Sequence, residues 1–158
     1  MLVLVRLLRV DPVPTLQEIA DSLGLDIASV HRSVKRLEDV QLVLPERTVA
    51  IAQADEFLTH GLRYVFPARF RGESRGVVTA WAAAPLADRL TPQNSPPPVW
   101  PHPRGRVRGI ALEPLHPSVA EVALGDEELH QRFALLDALR MGDARLRREA
   151  RAELFSAP

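Results

Sequence analysis

TLQEIADSLGLDIASVHRSVKRLEDVQLV, which runs from Thr15 to Val43, carries the signals for two short helices and a tight turn between them. Thr15 and Glu18 have the spacing of a capping box, in which each side chain binds a free backbone N–H at the start of a helix. Gly24 is predicted to end this helix with a left-handed backbone conformation. Between the cap and the glycine, apolar residues recur at helical spacing: Leu16, Ile19, Ala20 and Leu23.

The second helix of this stretch is predicted to begin after Asp26, whose carboxylate can cap it. At roughly 100° per residue, Val30, Val34 and Leu37 cluster within about 60° and form the buried stripe. The opposite face is small and polar near the start of the helix and basic further along. It comprises Ala28, Ser29, Arg32, Lys35 and Arg36, with His31 at its edge.

Two further elements flank this pair of helices. An apolar helix is predicted from Leu2 to about Val10, because the prolines of the following Asp11–Pro14 segment cannot continue a helix. After the pair, residues 41–52 (QLVLPERTVAIA) place Val, Leu and Ile on both sides of a polar tip, which predicts a hairpin of two short strands. A helix over residues 54–62 is expected to follow. The predicted order is therefore helix, helix, turn, helix and hairpin.

Residues 2–52 resemble the winged helix-turn-helix domain of bacterial transcription regulators, especially the MarR-like ones. The similarity lies in the polar helix start, the Leu-Gly-Leu turn at 23–25, and a helix that ends in Lys-Arg-Leu-Glu before a short apolar strand. The resemblance implies that the helix of about 27–39 enters the major groove and that the wing of about 41–51 touches the DNA backbone. Two features depart from the family: the wing is very short, and the rest of the chain does not match the expected dimerisation helices.

The outer face of the second helix suits contact with DNA. Small residues at its start allow close approach to base edges, and arginine can bond two acceptors on guanine. Lys35 and Arg36 are expected to lie near phosphates. The alternative interpretation is the solvated face of an ordinary helix hairpin. The candidate DNA-binding residues are Ser29, His31, Arg32, Ser33, Lys35 and Arg36 on the helix and Arg47 on the wing.

The charge distribution hides a basic centre within a neutral chain. The 158 residues include 20 basic and 20 acidic side chains, and 46% are hydrophobic, as is usual for a globular protein. Residues 61–110 contain eight basic and two acidic side chains, whereas residues 1–60 and 111–158 are each acidic on balance. Such asymmetry indicates a polyanionic partner for the centre.

Two motifs contain most of the arginines of this basic centre. RFRGESRG at 69–76 lacks the Lys-[Ser/Thr] ending of a nucleotide-binding loop, so a flexible basic loop is preferred over a phosphate site. PHPRGRVRG at 101–109 has arginines at alternate positions, which in a strand project from one face. They form either a second polyanion contact or a row paired with the acidic tail. The arginines concerned are Arg69, Arg71, Arg75, Arg104, Arg106 and Arg108.

The predicted fold class is α+β: an N-terminal winged helix-turn-helix over residues 1–60, then a Pro-rich mixed region with short strands and C-terminal helices over residues 61–158. Proline-rich residues 91–103 (TPQNSPPPVWPHP) are predicted to form an extended loop, neither helix nor interior strand. The strands predicted around it are LRYVF (62–66), GVVTAW (76–81) and RVRGIAL (106–112). The helices predicted in the tail span residues 118–124, 126–140 and 143–155, separated by Gly125 and Gly142.

The residue types needed for metal or covalent chemistry are missing or wrongly spaced. The chain has no cysteine, and its five histidines show neither His-x-His nor His-Glu-x-x-His spacing. No Ser-His-Asp set or carboxylate pair can be identified from spacing. We therefore expect no metal, no cofactor and no enzymatic activity. The apolar start is too short to span a bilayer, so a cytoplasmic protein without membrane contact is expected.

These features predict a transcriptional regulator that binds double-stranded DNA as a homodimer. Pairing is expected through a broad apolar sector of the helix after Asp126, unless that sector covers the winged helix of its own chain. A function of another class is the alternative: an antitoxin-type interaction module that regulates its own operon and neutralises a partner toxin. The residues predicted at the dimer interface are Leu129, Phe133, Leu136 and Leu139.

Overall fold

The structure, a computed structural model, describes residues 1–89, 95–141 and 143–155. It divides into two compact units, Met1–Phe57 and Leu58–Pro158. Helices and strands occur together, as the α+β class requires. The first unit contains α1 (Leu2–Leu7), α2 (Leu16–Leu23), α3 (Ile27–Asp39) and α4 (Ile51–Glu56). The second contains α5 (Leu62–Val65), β1 (Phe70–Val78), β2 (Pro98–Pro101), β3 (Val107–Leu112), α6 (Val119–Gly125), α7 (Glu127–Arg140) and α8 (Ala144–Phe155).

The pair α2 and α3 forms as predicted, because each end is held by the expected group. The Thr15 hydroxyl accepts the Glu18 backbone N–H at 3.2 Å, and the Glu18 carboxylate accepts the Thr15 N–H at 2.7 Å. Gly24 ends α2 with a φ of 61°. The Asp26 carboxylate accepts the Ser29 N–H at 2.8 Å and so caps α3. The capping box, the left-handed turn and the second cap are thus confirmed.

The three N-terminal helices share one apolar core. α1 ends at Leu7, earlier than the predicted Val10, and the following segment contains the prolines that stop it. Because α3 buries one side in this core, its opposite side faces solvent. The core side chains with no exposed surface include Leu4, Ile19, Leu23 and Val30.

The predicted wing is present but shorter than two strands. Val43 and Val49 form a single antiparallel bridge around a turn at Pro45–Arg47, whose last two residues have left-handed φ values of 64° and 63°. α3 ends at Asp39 and α4 begins at Ile51, so the helices leave few residues for a longer ladder. The prediction of two strands in this hairpin is therefore wrong in extent.

The predicted strand LRYVF is wrong, because this segment is helical. α4 is followed by a π-helical stretch, Phe57–Gly61, and then by α5. The Phe66 N–H donates to the Leu62 carbonyl at 2.8 Å, which is the i to i−4 bond of an α-helix. Only Leu62 of the run is buried, whereas Tyr64 and Val65 are exposed, so the apolar run does not report a buried strand.

The second unit contains a small closed barrel of three strands. β1 pairs antiparallel with β2 and with β3, and β2 pairs parallel with β3. RVRGIAL at 106–112 contains β3, as predicted. RFRGESRG at 69–76, predicted as a flexible loop, instead supplies most of β1, because pairing with β3 orders it. The strand predicted at 76–81 contributes only its first three residues.

β2 corrects the prediction that residues 91–103 form a loop without a strand. Trp100 in β2 has no exposed surface, so burial of its ring favours the strand. Proline lacks an N–H but keeps its acceptor, and the Thr79 N–H donates to the Pro98 carbonyl at 3.0 Å. Part of the predicted loop, residues 91–94, lies outside the described residues.

Glycines allow three strands to close on so small a circumference. A Cβ added at Gly76 would lie 2.1 Å from the Trp100 carbonyl oxygen. A Cβ added at Gly109 would lie 2.0 Å from the Pro97 carbonyl oxygen. Since both separations are far below van der Waals contact, backbone lies directly against backbone at these two positions.

The C-terminal helices follow the barrel with bounds close to those predicted, although Gly142, the predicted separator of α7 and α8, lies outside the described residues. The apolar sector of α7 is buried within the second unit, where α7 packs against α6, α8 and α5. The predicted dimer surface is therefore wrong, because several neighbouring elements of the same unit cover this apolar sector. The four residues assigned to it are at most 3% exposed: Leu129, Phe133, Leu136 and Leu139.

α7 contains a buried ion pair whose carboxylate also bonds to the barrel side. Arg140 Nε donates to Asp137 Oδ1 at 2.8 Å, and the two side chains are only 3% and 1% exposed. The other carboxylate oxygen accepts the Thr79 hydroxyl at 2.8 Å and the Trp100 indole N–H at 2.7 Å. Burial raises the pKa of Asp137, and the Arg140 charge and these hydrogen bonds oppose that rise. Arg140 also donates to two backbone carbonyls, so both charges are well hydrogen-bonded.

We expect Asp137→Asn to destabilise the second unit by about 3–5 kcal/mol, because Arg140 would stay buried without a counter-charge. Urea unfolding followed by tryptophan fluorescence measures the change. Asp143→Asn is the matched control: exposed Asp143 accepts the Leu146 N–H at 2.9 Å, and asparagine serves as well in a cap. Equal losses of unfolding free energy for the two variants would contradict the role of Asp137 as the counter-charge of Arg140.

Candidate nucleic-acid interface

α3 has one buried face and one exposed face, as its residue spacing predicts. Val30 and Val34 are 0% and 7% exposed, and Leu37 is half-buried. The exposed side carries the side chains predicted to meet DNA: His31, Arg32, Lys35 and Arg36, with half-buried Ser29 and Ser33 beside them. α3 is therefore a rigid element whose exposed side is polar and basic.

Two serine–arginine pairs lie in one row along this face. Arg32 Nη2 donates to the Ser29 hydroxyl at 2.8 Å, and Arg36 Nη2 donates to the Ser33 hydroxyl at 3.4 Å. Both pairs have i, i+3 spacing and they are offset by four residues, so one lies about a turn above the other. A guanidinium has five N–H donors, so one bond to serine leaves the others for a ligand.

Lys35 and His31 add to the same exposed side. Lys35 Nζ lies 3.4 Å from an Asp39 carboxylate oxygen, and the two side chains are 67% and 59% exposed. An ion pair so open to water adds little stability. Lys35 can therefore exchange this partner for a phosphate.

Arg47 lies in the turn of the wing, as predicted, but its side chain also makes a bond within the first unit. It is half-buried, and its Nε donates to the Pro14 carbonyl at 3.3 Å. This bond ties the tip of the wing to the segment before α2. Sequence reasoning missed Pro14 as a partner, because a backbone carbonyl acceptor has no sequence signature.

The six arginines proposed as a second polyanion contact all lie in the second unit, but not as one row. β3 begins at Val107, so only one of the three alternating arginines at 104–108 lies within the strand. The alternative for the arginines at 104–108, a row paired with the acidic tail, matches the contact of Arg104 with Glu121, whereas Arg108 lies beside Glu73 of β1. Carboxylates lie beside three of the arginines: Arg71 with Glu113, Arg104 with Glu121, and Arg108 with Glu73.

Residues 3–43 match a family model described as winged helix-turn-helix DNA-binding. This segment is a winged helix-turn-helix. The match begins in α1 and ends at Val43, in the bridge of the wing, so it covers the three helices described above. It supports a DNA-binding role for the segment, whereas the finer resemblance to MarR-like regulators stays a prediction. No curated protein and no solved structure gives a significant match to the chain.

Across residues 1–89, 95–141 and 143–155, no helix has the length and apolar character needed to cross a membrane. The same ranges contain no group of His, Cys, Asp or Glu side chains placed to hold a metal ion. The expectations of no cofactor and no enzymatic activity stay predictions.

The cap of α3 has an electrostatic component. Hydrogen bonds from the Ser29 hydroxyl and backbone N–H lower the pKa of the Asp26 carboxyl below its ordinary value. A carboxylate at a helix N-terminus also interacts favourably with the helix dipole. The ionised form of Asp26 is therefore the one that stabilises α3.

We expect Asp26→Asn to reduce the acid sensitivity of the first unit. Because the folded pKa lies below the unfolded one, the charged cap stabilises fully above the ordinary aspartate pKa of about 3.9. That contribution is lost as pH falls through the folded pKa. Asparagine caps without titrating, so the wild-type-minus-variant difference in unfolding free energy should shrink as pH falls. A difference that stays constant with pH would contradict a titrating cap.

Proposed function

We propose that the chain is a sequence-specific DNA-binding transcription regulator, with α3 in the major groove and the wing of about 41–51 on the DNA backbone. The observation that carries the proposal is the row of serine–arginine pairs on the exposed face of α3, within a segment that matches a DNA-binding family model. The buried face of α3 fixes the direction in which this row points.

The residues of α3 divide by their place along the helix. Ser29 and Arg32 lie toward its N-terminal end, where recognition helices of this kind contact base edges. Arg32 can bond guanine O6 and N7 together, and Ser29 can donate or accept. Lys35 and Arg36 lie further along and suit phosphates, which position the helix without reading sequence.

We expect Arg32→Ala to weaken binding to a specific site by about 1–3 kcal/mol and to relax the base preference there. A site recovered by selection from random DNA and an unrelated duplex of equal length serve as ligands in titrations at fixed salt. Arg36→Ala is the matched control from the second serine–arginine pair, and it should weaken both duplexes about equally. If Arg32→Ala weakens binding to both duplexes equally, Arg32 contacts a phosphate. If it weakens binding to neither duplex, α3 does not lie in the groove.

We also propose that the regulator binds DNA as a homodimer. The 13 residues of α3 reach only a few base pairs, so one copy discriminates weakly among sites. Two copies on half-sites about one helical turn apart gain affinity and specificity together. The apolar sector of α7 is not the pairing surface, because it is buried in its own unit.

We expect sedimentation of the full chain with a selected duplex to give a complex of two chains per duplex. Each chain adds 17.5 kDa, so the two stoichiometries are well separated in mass. A duplex cut to one half-site is the control and should bind far more weakly. Saturation at one chain on the complete site would contradict pairing.

A further inference from the structure

A group of arginines in the second unit lies where β1 meets β3. Arg75 and Arg108 are direct partners in the antiparallel register of these strands. Residues directly opposite in such a pair have Cβ atoms about 4.5–5.5 Å apart on the same side of the sheet, and like charges there are destabilising. Both side chains are exposed, so the two guanidinium groups share one open surface.

Two more arginines are brought to this place by backbone contact. A Cβ added at Gly105 would lie 2.2–2.4 Å from backbone atoms of Gly76, so the two glycines lie directly against each other. Gly76 follows Arg75 in the chain, and Gly105 stands between Arg104 and Arg106. We call Arg75, Arg104, Arg106 and Arg108 the arginine patch.

The acidic residues near the arginine patch neutralise only part of it. Glu121 pairs with Arg104, and Glu73 lies 3.8 Å from Arg108 with both side chains largely exposed. No ion pair in the described part of the chain includes Arg75 or Arg106. The patch therefore keeps an excess of positive charge, and Glu73 offsets only part of the direct opposition of Arg75 and Arg108.

A local arrangement that opposes folding is expected where function requires it. We propose that the arginine patch binds phosphates of the DNA backbone, as a second contact in addition to α3. Guanidinium groups bind phosphate through paired hydrogen bonds, and a phosphate between Arg75 and Arg108 would relieve their repulsion. The inference rests on the proposed function, because the same duplex is the ligand of both units.

A contact of this kind adds affinity without adding sequence preference. Phosphates are the same in every sequence, so the patch strengthens binding to specific and unrelated duplexes alike. Each phosphate neutralised also makes binding more sensitive to salt, with a slope of about 0.9 per contact in log–log form. Salt dependence therefore separates this contact from base readout by α3.

The test compares two double variants of the full chain. Arg75→Gln with Arg108→Gln removes the opposed pair of the patch. Arg145→Gln with Arg148→Gln removes the same charge from exposed positions of α8, and Arg148 has a carboxylate at 3.8 Å, just as Arg108 does. Dissociation constants on the selected and unrelated duplexes are measured between 50 and 200 mM salt.

We expect the patch variant to lose affinity by the same factor on both duplexes and to lower the salt slope by about two. Over this salt range, affinity of the wild-type chain should then fall about tenfold more than that of the patch variant. The α8 variant should behave as wild type. Thermal melting should show no large loss of Tm for the patch variant, because a like-charge pair is removed and the exposed ion pair of Arg108 with Glu73 adds little stability.

Equal salt slopes for the patch variant and the α8 variant would overturn the proposal that the arginine patch binds phosphates. A lowered slope confined to the selected duplex would also overturn it, since that result means base readout. Arg32→Ala in the same assay separates this failure from failure of the proposed function. If Arg32→Ala still weakens the selected duplex while the patch variant matches the α8 variant, only the patch is wrong. If the wild-type chain binds neither duplex, both proposals are wrong.

Discussion

The buried pair of Asp137 and Arg140 is the interaction on which the arrangement of the second unit depends. Its hydrogen bonds join α7 to Thr79, just after β1, and to Trp100 in β2. A buried charge without its partners is destabilising by about 3–5 kcal/mol, so few other arrangements of these elements satisfy the pair. Apolar packing alone is less selective, because it tolerates small shifts of one element against another. The pair thereby holds the exposed arginines of β1 and β3 on a barrel with a defined position against α7.

The first unit could be predicted closely from the sequence because its signals act over short distances. Thr15 and Glu18 interact three residues apart, as do Asp26 and Ser29, and Gly24 acts through its own backbone angle. Such signals keep their meaning whatever the rest of the chain does. The exposed face of α3 follows from the same local spacing, and with it the candidate residues for DNA. The bond of Arg47 to Pro14 joins residues far apart in sequence, so no local pattern predicted it.

The second unit was predicted less well, because its order comes from partners distant in sequence. RFRGESRG becomes a strand by pairing with β3, and the proline-rich segment becomes β2 because Trp100 is buried and bonded to Asp137. LRYVF has the apolar residues of a strand but forms a helix. The apolar width of α7 was visible in the sequence, but the sequence does not say which surfaces share it. Three neighbouring helices of its own unit explain that width.

Closure of the three-stranded barrel limits how copies of this chain can associate. Each of its strands pairs with both of the others, so the described barrel has no strand with a wholly unpaired edge. Sheets with open edges can extend into a neighbouring molecule through main-chain hydrogen bonds, whereas strand segments that pair on both sides have lost that route. Where the strands pair on both sides, a partner must recognise side chains, and its specificity is then open to change by single substitutions on the surface. The glycines that let the strands close therefore also reduce the length of backbone that another strand could pair with.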